Sequence, residues 1–175
     1  SYTYPYDFSF APYTMMTAKN FLAYPVEVKQ LVDGKLANSK LIQYEVFGNK
    51  YLPKSITRGK IINLVDDTVT FSSAGASSTN YPASDVTYLK YDTYGNPVHI
   101  NVKGEDIVYV WGYRYQYPIA EIRKSSYSAI QSALGCTPES LSSMVTPSSL
   151  VTTLRTKLPE APVTTYTYTP LLGMK

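Results

Sequence analysis

One turn pattern occurs twice in this chain, and it constrains the fold more than any other feature. Residues 44–49 read Tyr-Glu-Val-Phe-Gly-Asn and residues 91–96 read Tyr-Asp-Thr-Tyr-Gly-Asn, at an offset of 47 positions. Both follow the order aromatic, acid, any residue, aromatic, Gly, Asn. Because Gly and Asn tolerate the backbone angles of tight turns, each copy predicts a strand, a turn and a returning strand. A repeated unit of this kind predicts an array of β-hairpins.

The two copies are expected to be unequal, with the copy at 44–49 a degenerate relative of the copy at 91–96. The acids Glu45 and Asp92 take the first position of a type I turn, and Gly48 and Gly95 take the fourth, where glycine supplies positive φ in a bulged hairpin loop. The short side chain of Asp92 can hydrogen-bond the backbone ahead, a role that fits Glu45 less well. The predicted structural site residues are Tyr44, Glu45, Phe47, Gly48, Asn49, Tyr91, Asp92, Tyr94, Gly95 and Asn96.

The rest of the chain reads mainly as β-strands. Tyrosine occurs 18 times, and Thr and Val are also abundant, which favours strands because these side chains fit a pleated surface. Asp33-Gly34 and Lys103-Gly104 predict two further hairpin turns. A third hairpin is predicted over 61–71, around Asp66-Asp67, and residues 72–84 have the composition of a loop.

Convincing helical signals occur only in the second half, and in residues 9–24 Met15, Met16, Phe21 and Leu22 fit either a helical turn or a loop anchor. Ser125 or Ser126 is expected to cap a helix that ends at Gly135, Thr137-Pro138 opens a second helix, and Thr146-Pro147 opens a third. The predicted fold is therefore a mainly β, antiparallel hairpin array with a small helical insertion near 125–158. It divides into an N-terminal strand and connection (1–24), a hairpin-repeat region (25–120), the helical insertion (121–160) and a returning strand (161–175), as one structural unit.

A row of aromatic residues is the one stretch that suggests a binding surface. A single strand is predicted over 107–117, and strand side chains alternate, so five rings are expected to share one face: Tyr109, Trp111, Tyr113, Tyr115 and Tyr117. Such a row can stack on sugars or contact a partner protein, and it can equally pack against the helices or the next sheet. Buried rings favour the structural interpretation, and a coplanar exposed row favours the binding one.

No constellation of residues predicts catalysis, a metal site or a cofactor. The single histidine, His99, is expected on a strand surface, and Cys136 is expected to be a small buried or half-buried residue. The acid pairs Asp66-Asp67 and Glu105-Asp106 fit turns better than a calcium loop. A glycosidase or a peptidase is accordingly the least favoured class. A net charge of +3, with no basic run, gives no case for nucleic acid, and no apolar run is long enough to span a membrane.

The second copy of the turn and the residues after it resemble a known family. Tyr91-Asp92-Thr93-Tyr94-Gly95-Asn96 is similar to a YD repeat, the unit of rearrangement-hotspot (RHS) proteins. The stretch from Val108 through Tyr117-Pro118-Ile119-Ala120, the helices, and the end at 166–174 resemble a segment of large Bacteroidetes RHS proteins. The resemblance covers about 85–175 well and 25–71 only through the first copy and the hairpin rhythm.

The resemblance implies a setting for the chain. Repeats of that family form a spiral sheet, which in full-length members makes a hollow shell around a C-terminal effector, and members are secreted or surface-exposed. The expected function is thus a non-enzymatic structural segment cut from a larger protein, whose partners are the rest of that chain and an enclosed effector. The alternative is a β module that binds glycan or protein through the aromatic row at 109–117. No nucleic acid, membrane insertion or cofactor is expected.

Overall fold

The computed structural model describes residues 1–59, 65–66, 81, 83–144, 149–169 and 173–174. The chain forms two compact units, Ser1–Thr87 and Tyr88–Lys175, whereas the sequence is interpreted above as one structural unit. Both units are built on antiparallel strands, and the helices are few and short. The predicted fold class, mainly antiparallel β with a small helical part, is therefore confirmed. Most of the hairpin predicted over 61–71 and of the loop predicted over 72–84 lies outside the described residues.

The first unit is a twisted set of hairpins with one short helix. Its strands are β1 (Tyr2–Thr3), β2 (Glu27–Val32), β3 (Lys35–Phe47), β4 (Lys50–Arg58), β5 (Val65–Asp66) and the start of β6 (Val86–Tyr91). The strand order is β1-β2-β3-β4-β6, and β5 pairs with the start of β3. A 3₁₀ turn at Pro5–Asp7 and helix α1 (Tyr13–Ala18) connect β1 to β2. The predicted N-terminal strand is thus present as two residues, Tyr2–Thr3.

Turn chemistry sets the register of β2 and β3. Val32 pairs with Lys35 across the two-residue loop Asp33-Gly34. Both loop residues have positive φ, 49° and 74°, as a type I′ turn requires. The predicted hairpin is therefore present.

The buried face of the first unit is partly polar. Apolar and aromatic residues form its core: Tyr13, Met16, Val26, Leu36, Leu41, Tyr44, Tyr51 and Tyr81. On β2 it is Glu27 and Lys29 that point inward, with 2% and 9% of their surface exposed. Glu27 accepts a hydrogen bond from the Tyr81 hydroxyl at 2.6 Å and lies 3.7 Å from the Lys29 Nζ, which compensates the burial of its charge. Val28 and Gln30 consequently lie on the opposite, open face.

The second unit is a meander covered by helices. After the end of β6 come β7 (Pro97–Val102), β8 (Glu105–Gly112), β9 (Tyr117–Arg123) and β10 (Val163–Thr165), in the order β6-β7-β8-β9-β10, and β11 (Tyr168–Thr169) pairs with β12 (Gly173–Met174). The helices are α2 (Tyr127–Leu134), a 3₁₀ turn at Pro138–Leu141, α3 (Ser149–Thr152) and α4 (Leu154–Lys157). The turn at Lys103-Gly104 has φ values of 51° and 90°, as predicted for a type I′ hairpin.

Helix α2 begins and ends at the residues that the sequence indicates. The Ser126 hydroxyl accepts a hydrogen bond from the Ala129 amide at 3.2 Å, and Gly135 ends the helix at φ 74°. Pro138 opens only a 3₁₀ turn. The start predicted at Thr146-Pro147 lies outside the described residues. The helices and the sheet share one core: Val108, Val110, Ile119, Ala120, Ile122, Ile130, Ala133, Leu134, Leu141, Val151 and Leu154.

Candidate functional site

The second copy of the turn pattern is organised by one carboxylate. Asp92 Oδ1 accepts hydrogen bonds from three successive backbone amides, Tyr94 at 2.9 Å, Gly95 at 2.9 Å and Asn96 at 3.0 Å. The Gly95 amide also contacts the Asp92 carbonyl at 3.1 Å, and Gly95 has φ 95°. Asp92 therefore occupies the first position of a type I turn and Gly95 the fourth. Its side chain is buried, which strengthens bonds to an ionised acceptor.

Asn96 links this turn to a second loop of the same unit. Its Nδ2 donates to Asp92 Oδ2 at 2.9 Å and to the Tyr115 carbonyl at 2.8 Å. The rings of Tyr94 and Tyr115 stack above this link, with centroids 4.2 Å apart and planes 21° apart. The turn pattern at 91–96 thus holds another part of the chain in place as well as reversing the strand.

The first copy forms a different turn, so the placement of Glu45 and Gly48 at the first and fourth positions of a type I turn is wrong. Phe47 pairs with Lys50, so the loop is only Gly48-Asn49, and Gly48 has φ 63°. Glycine with positive φ at the first central position fits a type II′ hairpin.

Glu45 accordingly lies within β3, opposite Leu52, and not at the first position of a turn. Its carboxylate forms an exposed ion pair with Lys54 at 3.1 Å. The Tyr44 ring is buried in the core, and its hydroxyl donates to the Pro25 carbonyl at 3.2 Å. Burial raises the pKa of Tyr44 to about 12.

The aromatic row at 107–117 is not a strand face, so that prediction is also wrong. Strand β8 ends at Gly112, and Tyr113, Arg114 and Tyr115 all have positive φ, between 50° and 68°. The loop is held by backbone bonds from Arg114 N to the Met144 carbonyl at 2.9 Å and from Tyr115 N to the Ser142 carbonyl at 2.7 Å. These bonds to the segment after the 3₁₀ turn favour a left-handed loop over an extended strand.

The five aromatic side chains therefore have separate surroundings. Tyr109 lies opposite Glu121, and burial, followed by the nearby Glu121 carboxylate, raises the Tyr109 pKa. Trp111 Nε1 donates to the Pro97 carbonyl at 2.8 Å. Tyr115 stacks on Tyr94. Only Tyr117, at 40%, is strongly exposed.

Tyr113 and Tyr117 form a small cluster with Tyr168. The Tyr113 hydroxyl donates to the Tyr168 carbonyl at 3.3 Å and accepts from the Tyr168 amide at 3.2 Å. The Tyr117 and Tyr168 rings stack with centroids 4.6 Å apart. Tyr113 meets both rings edge to face. This packing attaches the chain near β11 to the end of β8.

His99 is buried, not on a surface as expected. Only 9% of it is exposed, because its ring stacks on Tyr127 with centroids 5.4 Å apart. Its Nε2 lies 3.5 Å from Asp106 Oδ1. Asp106 also accepts from Asn101 Nδ2 at 2.7 Å. The His99 ring therefore lies next to the Tyr127 phenol and to the Asp106 carboxylate, which also binds the Asn101 amide.

The Tyr127 ring carries a second polar contact. Its hydroxyl donates to Glu139 Oε2, and burial, followed by this bond, raises the Tyr127 pKa. Lys90 Nζ lies 4.5 Å above the same ring and 3.8 Å from Glu139 Oε1. The sequence gives no local sign of this network, since its members come from three distant segments.

The remaining candidate residues are Cys136 and the two acid pairs. Cys136 is half-buried against the helical core, as expected. Glu105 lies 3.7 Å from Arg123. Of the Asp66-Asp67 pair only the Asp66 backbone is described. Across the described ranges no three His, Cys, Asp or Glu side chains are placed to hold a metal ion, and no helix there is long and apolar enough to cross a membrane.

Two shallow cavities are lined by described residues. One, of about 240 Å³, lies in the first unit against Val28, Gln30, Asn38, Ser39, Lys40 and Arg58. The other, of about 360 Å³, lies in the second unit against Gly104, Glu105, Asp106, Lys124, Ser125 and Ser126. Neither set includes the histidine or the cysteine, so neither pairs a nucleophile with an imidazole base.

Comparison with known proteins gives no relative. No family model matches the chain, and neither a curated protein nor a solved structure matches it.

Proposed function

We propose that this chain is a non-enzymatic structural segment of a large secreted or surface protein of the RHS/YD-repeat type. The observation that carries the proposal is the turn at 91–96, where one buried carboxylate accepts four hydrogen bonds, three of them from consecutive backbone amides. Such a turn fixes the register of the strands on either side of it. The pattern that resembles a YD repeat therefore has a direct structural role in the chain.

The proposed role follows from how the turn is connected. Asn96 extends the turn to the Tyr115 carbonyl, and the loop that carries Tyr115 is bonded in turn to Ser142 and Met144. Hydrogen bonds thereby connect the turn at 91–96 with the next hairpin and with the helical part. Connections of this kind would hold stacked hairpins together in a shell. The proposed partners are the remainder of the parent chain and an effector that the shell encloses.

The alternative, a module that binds glycan or protein through the row 109–117, requires the five rings to form one surface. The five rings are predicted to share one strand face, and they instead lie in four separate environments.

Two experiments test the proposal. Sequencing the gene on both sides of this segment is expected to reveal more units of the Tyr-Asp-x-x-Gly-Asn type, and a flanking sequence without any such unit would contradict the family assignment. In the parent protein, Asp92→Ala is expected to make residues 88–123 more sensitive to limited proteolysis, whereas Glu45→Ala is expected to leave the digestion pattern unchanged. Equal digestion of the Asp92→Ala and unaltered proteins would contradict the structural role of the turn.

A further inference from the structure

The open face of the first unit carries an aligned row of side chains across four strands. Tyr2 pairs with Val28, Val28 with Lys40, and Lys40 with Arg58. Directly opposed residues of neighbouring strands project to the same side, about 5 Å apart. The face turned away from the core therefore presents, in order, a phenol ring, an isopropyl group, an ammonium and a guanidinium.

A groove follows this row. It encloses about 240 Å³ and is lined by Val28, Gln30, Asn38, Ser39, Lys40 and Arg58. Gln30 and Asn38 are opposed in register and lie beside the two cations. Their amides each offer donors and an acceptor, which suit the hydroxyl groups of a sugar. Val28 is the only apolar side chain of the groove, so the groove has little to offer the side chains of a hydrophobic peptide.

The two cations of the groove have no ion-pair partner among the described residues. Lys40 and Arg58 are both exposed, and the ion pairs of the described ranges involve neither side chain. By contrast, Lys29 is paired with Glu27 and Lys54 with Glu45 in the same unit. Asp85 accepts a hydrogen bond from the Arg58 backbone amide at 2.8 Å. A guanidinium beside an ammonium favours carboxylate or sulfate groups.

A stack of three tyrosines begins at Tyr2, which pairs with Val28 of the groove. Tyr2 and Tyr6 are 60% and 55% exposed, with Tyr4 between them. The ring centroids of Tyr2 and Tyr4 are 6.3 Å apart, those of Tyr4 and Tyr6 are 5.6 Å apart, and neighbouring planes differ by 23° and 20°. The Tyr4 amide donates to Asp7 Oδ2 at 2.8 Å, which fixes the turn that carries the rings. Rigid flat rings at a surface offer contact area at low entropic cost.

We propose that this face binds an acidic polysaccharide. Sugar rings lie against Tyr2 and Tyr6, carboxylate or sulfate groups contact Lys40 and Arg58, and hydroxyl groups bond to the Gln30 and Asn38 amides. Single-stranded nucleic acid is less suited, because its binders follow the phosphate backbone with an extended positively charged groove and this groove has two cations. The site is independent of the structural role proposed for the turn at 91–96.

The test measures binding of the whole chain to defined polymers by isothermal titration calorimetry. The probes are polygalacturonate, dextran sulfate, neutral dextran and a single-stranded thymidine oligonucleotide. Binding to polygalacturonate or dextran sulfate, and not to dextran, is expected, and which of the two binds identifies the anion as uronate or sulfate. No binding to either acidic polymer, or tighter binding to the oligonucleotide, would overturn the proposal.

Matched variants locate the site. Lys40→Ala with Arg58→Ala is expected to weaken binding at least about tenfold, the loss typical of a charge-assisted contact, and Tyr2→Ala with Tyr6→Ala also weakens it. Lys54→Ala with Arg114→Ala removes the same charges elsewhere and is expected to change the Kd less than about twofold. Circular dichroism melting of each variant reports folding. A folded K40A/R58A protein that binds like the unaltered chain would overturn the proposal, as would equal losses in both double variants.

Discussion

The two copies of the turn pattern have the same order of residue types and form different turns. At 44–49 the loop has two residues, and the acid Glu45 lies back in the strand with its carboxylate in water. At 91–96 the acid begins the turn, and its buried carboxylate binds the amides that follow. Both copies reverse the chain next to a Gly-Asn pair, and only the acid of the second copy bonds to the amides that follow it. A side chain shorter by one methylene group reaches its own following amides, and the longer one does not.

The largest expected difference between the copies concerns the acids. Asp92→Ala removes the acceptor of four hydrogen bonds and leaves backbone amides without a partner, so we expect a loss of about 3 kcal/mol in the free energy of unfolding. Glu45→Ala removes an exposed ion pair and is expected to cost less than about 1 kcal/mol. Trp111, the single tryptophan of the chain, reports the urea unfolding of the second unit by fluorescence and thus the effect of Asp92→Ala, whereas circular dichroism in urea measures the effect of Glu45→Ala in the first unit. Similar losses from the two substitutions would contradict the comparison.

The asparagines provide the next comparison. Asn96→Ala removes the bonds to Asp92 and to the Tyr115 carbonyl, and we expect a loss of about 2 kcal/mol, since the carboxylate and the carbonyl each lose a donor. Asn49 is exposed in its two-residue loop, and Asn49→Ala is expected to change stability by about 0.5 kcal/mol or less. Urea unfolding followed by circular dichroism measures both. An Asn49→Ala variant as destabilised as Asn96→Ala would indicate that both turns rely on the amide.

The glycines test what the copies share. Gly48 and Gly95 both have positive φ, 63° and 95°. Because an alanine in the left-handed region costs about 1–2 kcal/mol, we expect Gly48→Ala and Gly95→Ala to destabilise the chain by that amount in each case. Thermal unfolding of the pair measures the effect. If only one of the two substitutions destabilises the chain, the two turns do not share a requirement for glycine.

The smallest effect concerns Tyr44 at the start of the first copy. Its folded pKa of about 12 lies above the usual value of 10, so the folded state favours the neutral phenol. This contribution to stability is fully present below pH 10 and is lost as the pH rises from 10 to 12. We expect Tyr44→Phe to cost about 1 kcal/mol at neutral pH and to reduce the loss of stability above pH 10.

Alkaline unfolding, followed by circular dichroism at pH 9 to 12, measures the effect of Tyr44. Tyr6→Phe serves as the control, because it removes the hydroxyl of a tyrosine that is 55% exposed. An unchanged pH profile in Tyr44→Phe would show that the buried phenol does not contribute.

Local chemistry made part of this molecule predictable from sequence. Asp33-Gly34 and Lys103-Gly104 form the expected turns, and Ser126 and Gly135 bound the expected helix, because in each case neighbouring residues alone satisfy the backbone. The loop at 113–116 was not predictable, since alternating aromatics fit a strand equally well. Its conformation depends on carbonyls of Ser142 and Met144, about thirty residues away in sequence.

The burial of His99 and Glu27 could not be predicted from the sequence either, because it also depends on residues that are distant in sequence. His99 is buried because Tyr127, from a helix distant in sequence, covers its ring. Glu27 is buried because Tyr81 supplies a hydroxyl from the far end of the first unit. In both cases the alternation of the strand is visible in the sequence, whereas the face that is covered depends on contacts between distant segments. Because Glu27 faces the core, Lys40 and Arg58 lie on the opposite, open face of the sheet.

Amide hydrogen exchange tests the central claim most directly. If the Asp92 carboxylate organises the turn at 91–96, the amides of Tyr94, Gly95 and Asn96 exchange slowly in the unaltered chain. In Asp92→Ala these three amides are expected to exchange at least about tenfold faster, while the amides of the ladder between β3 and β4 keep their rates. Rapid exchange of the three amides in the unaltered chain, or no change on removing the carboxylate, would contradict the account.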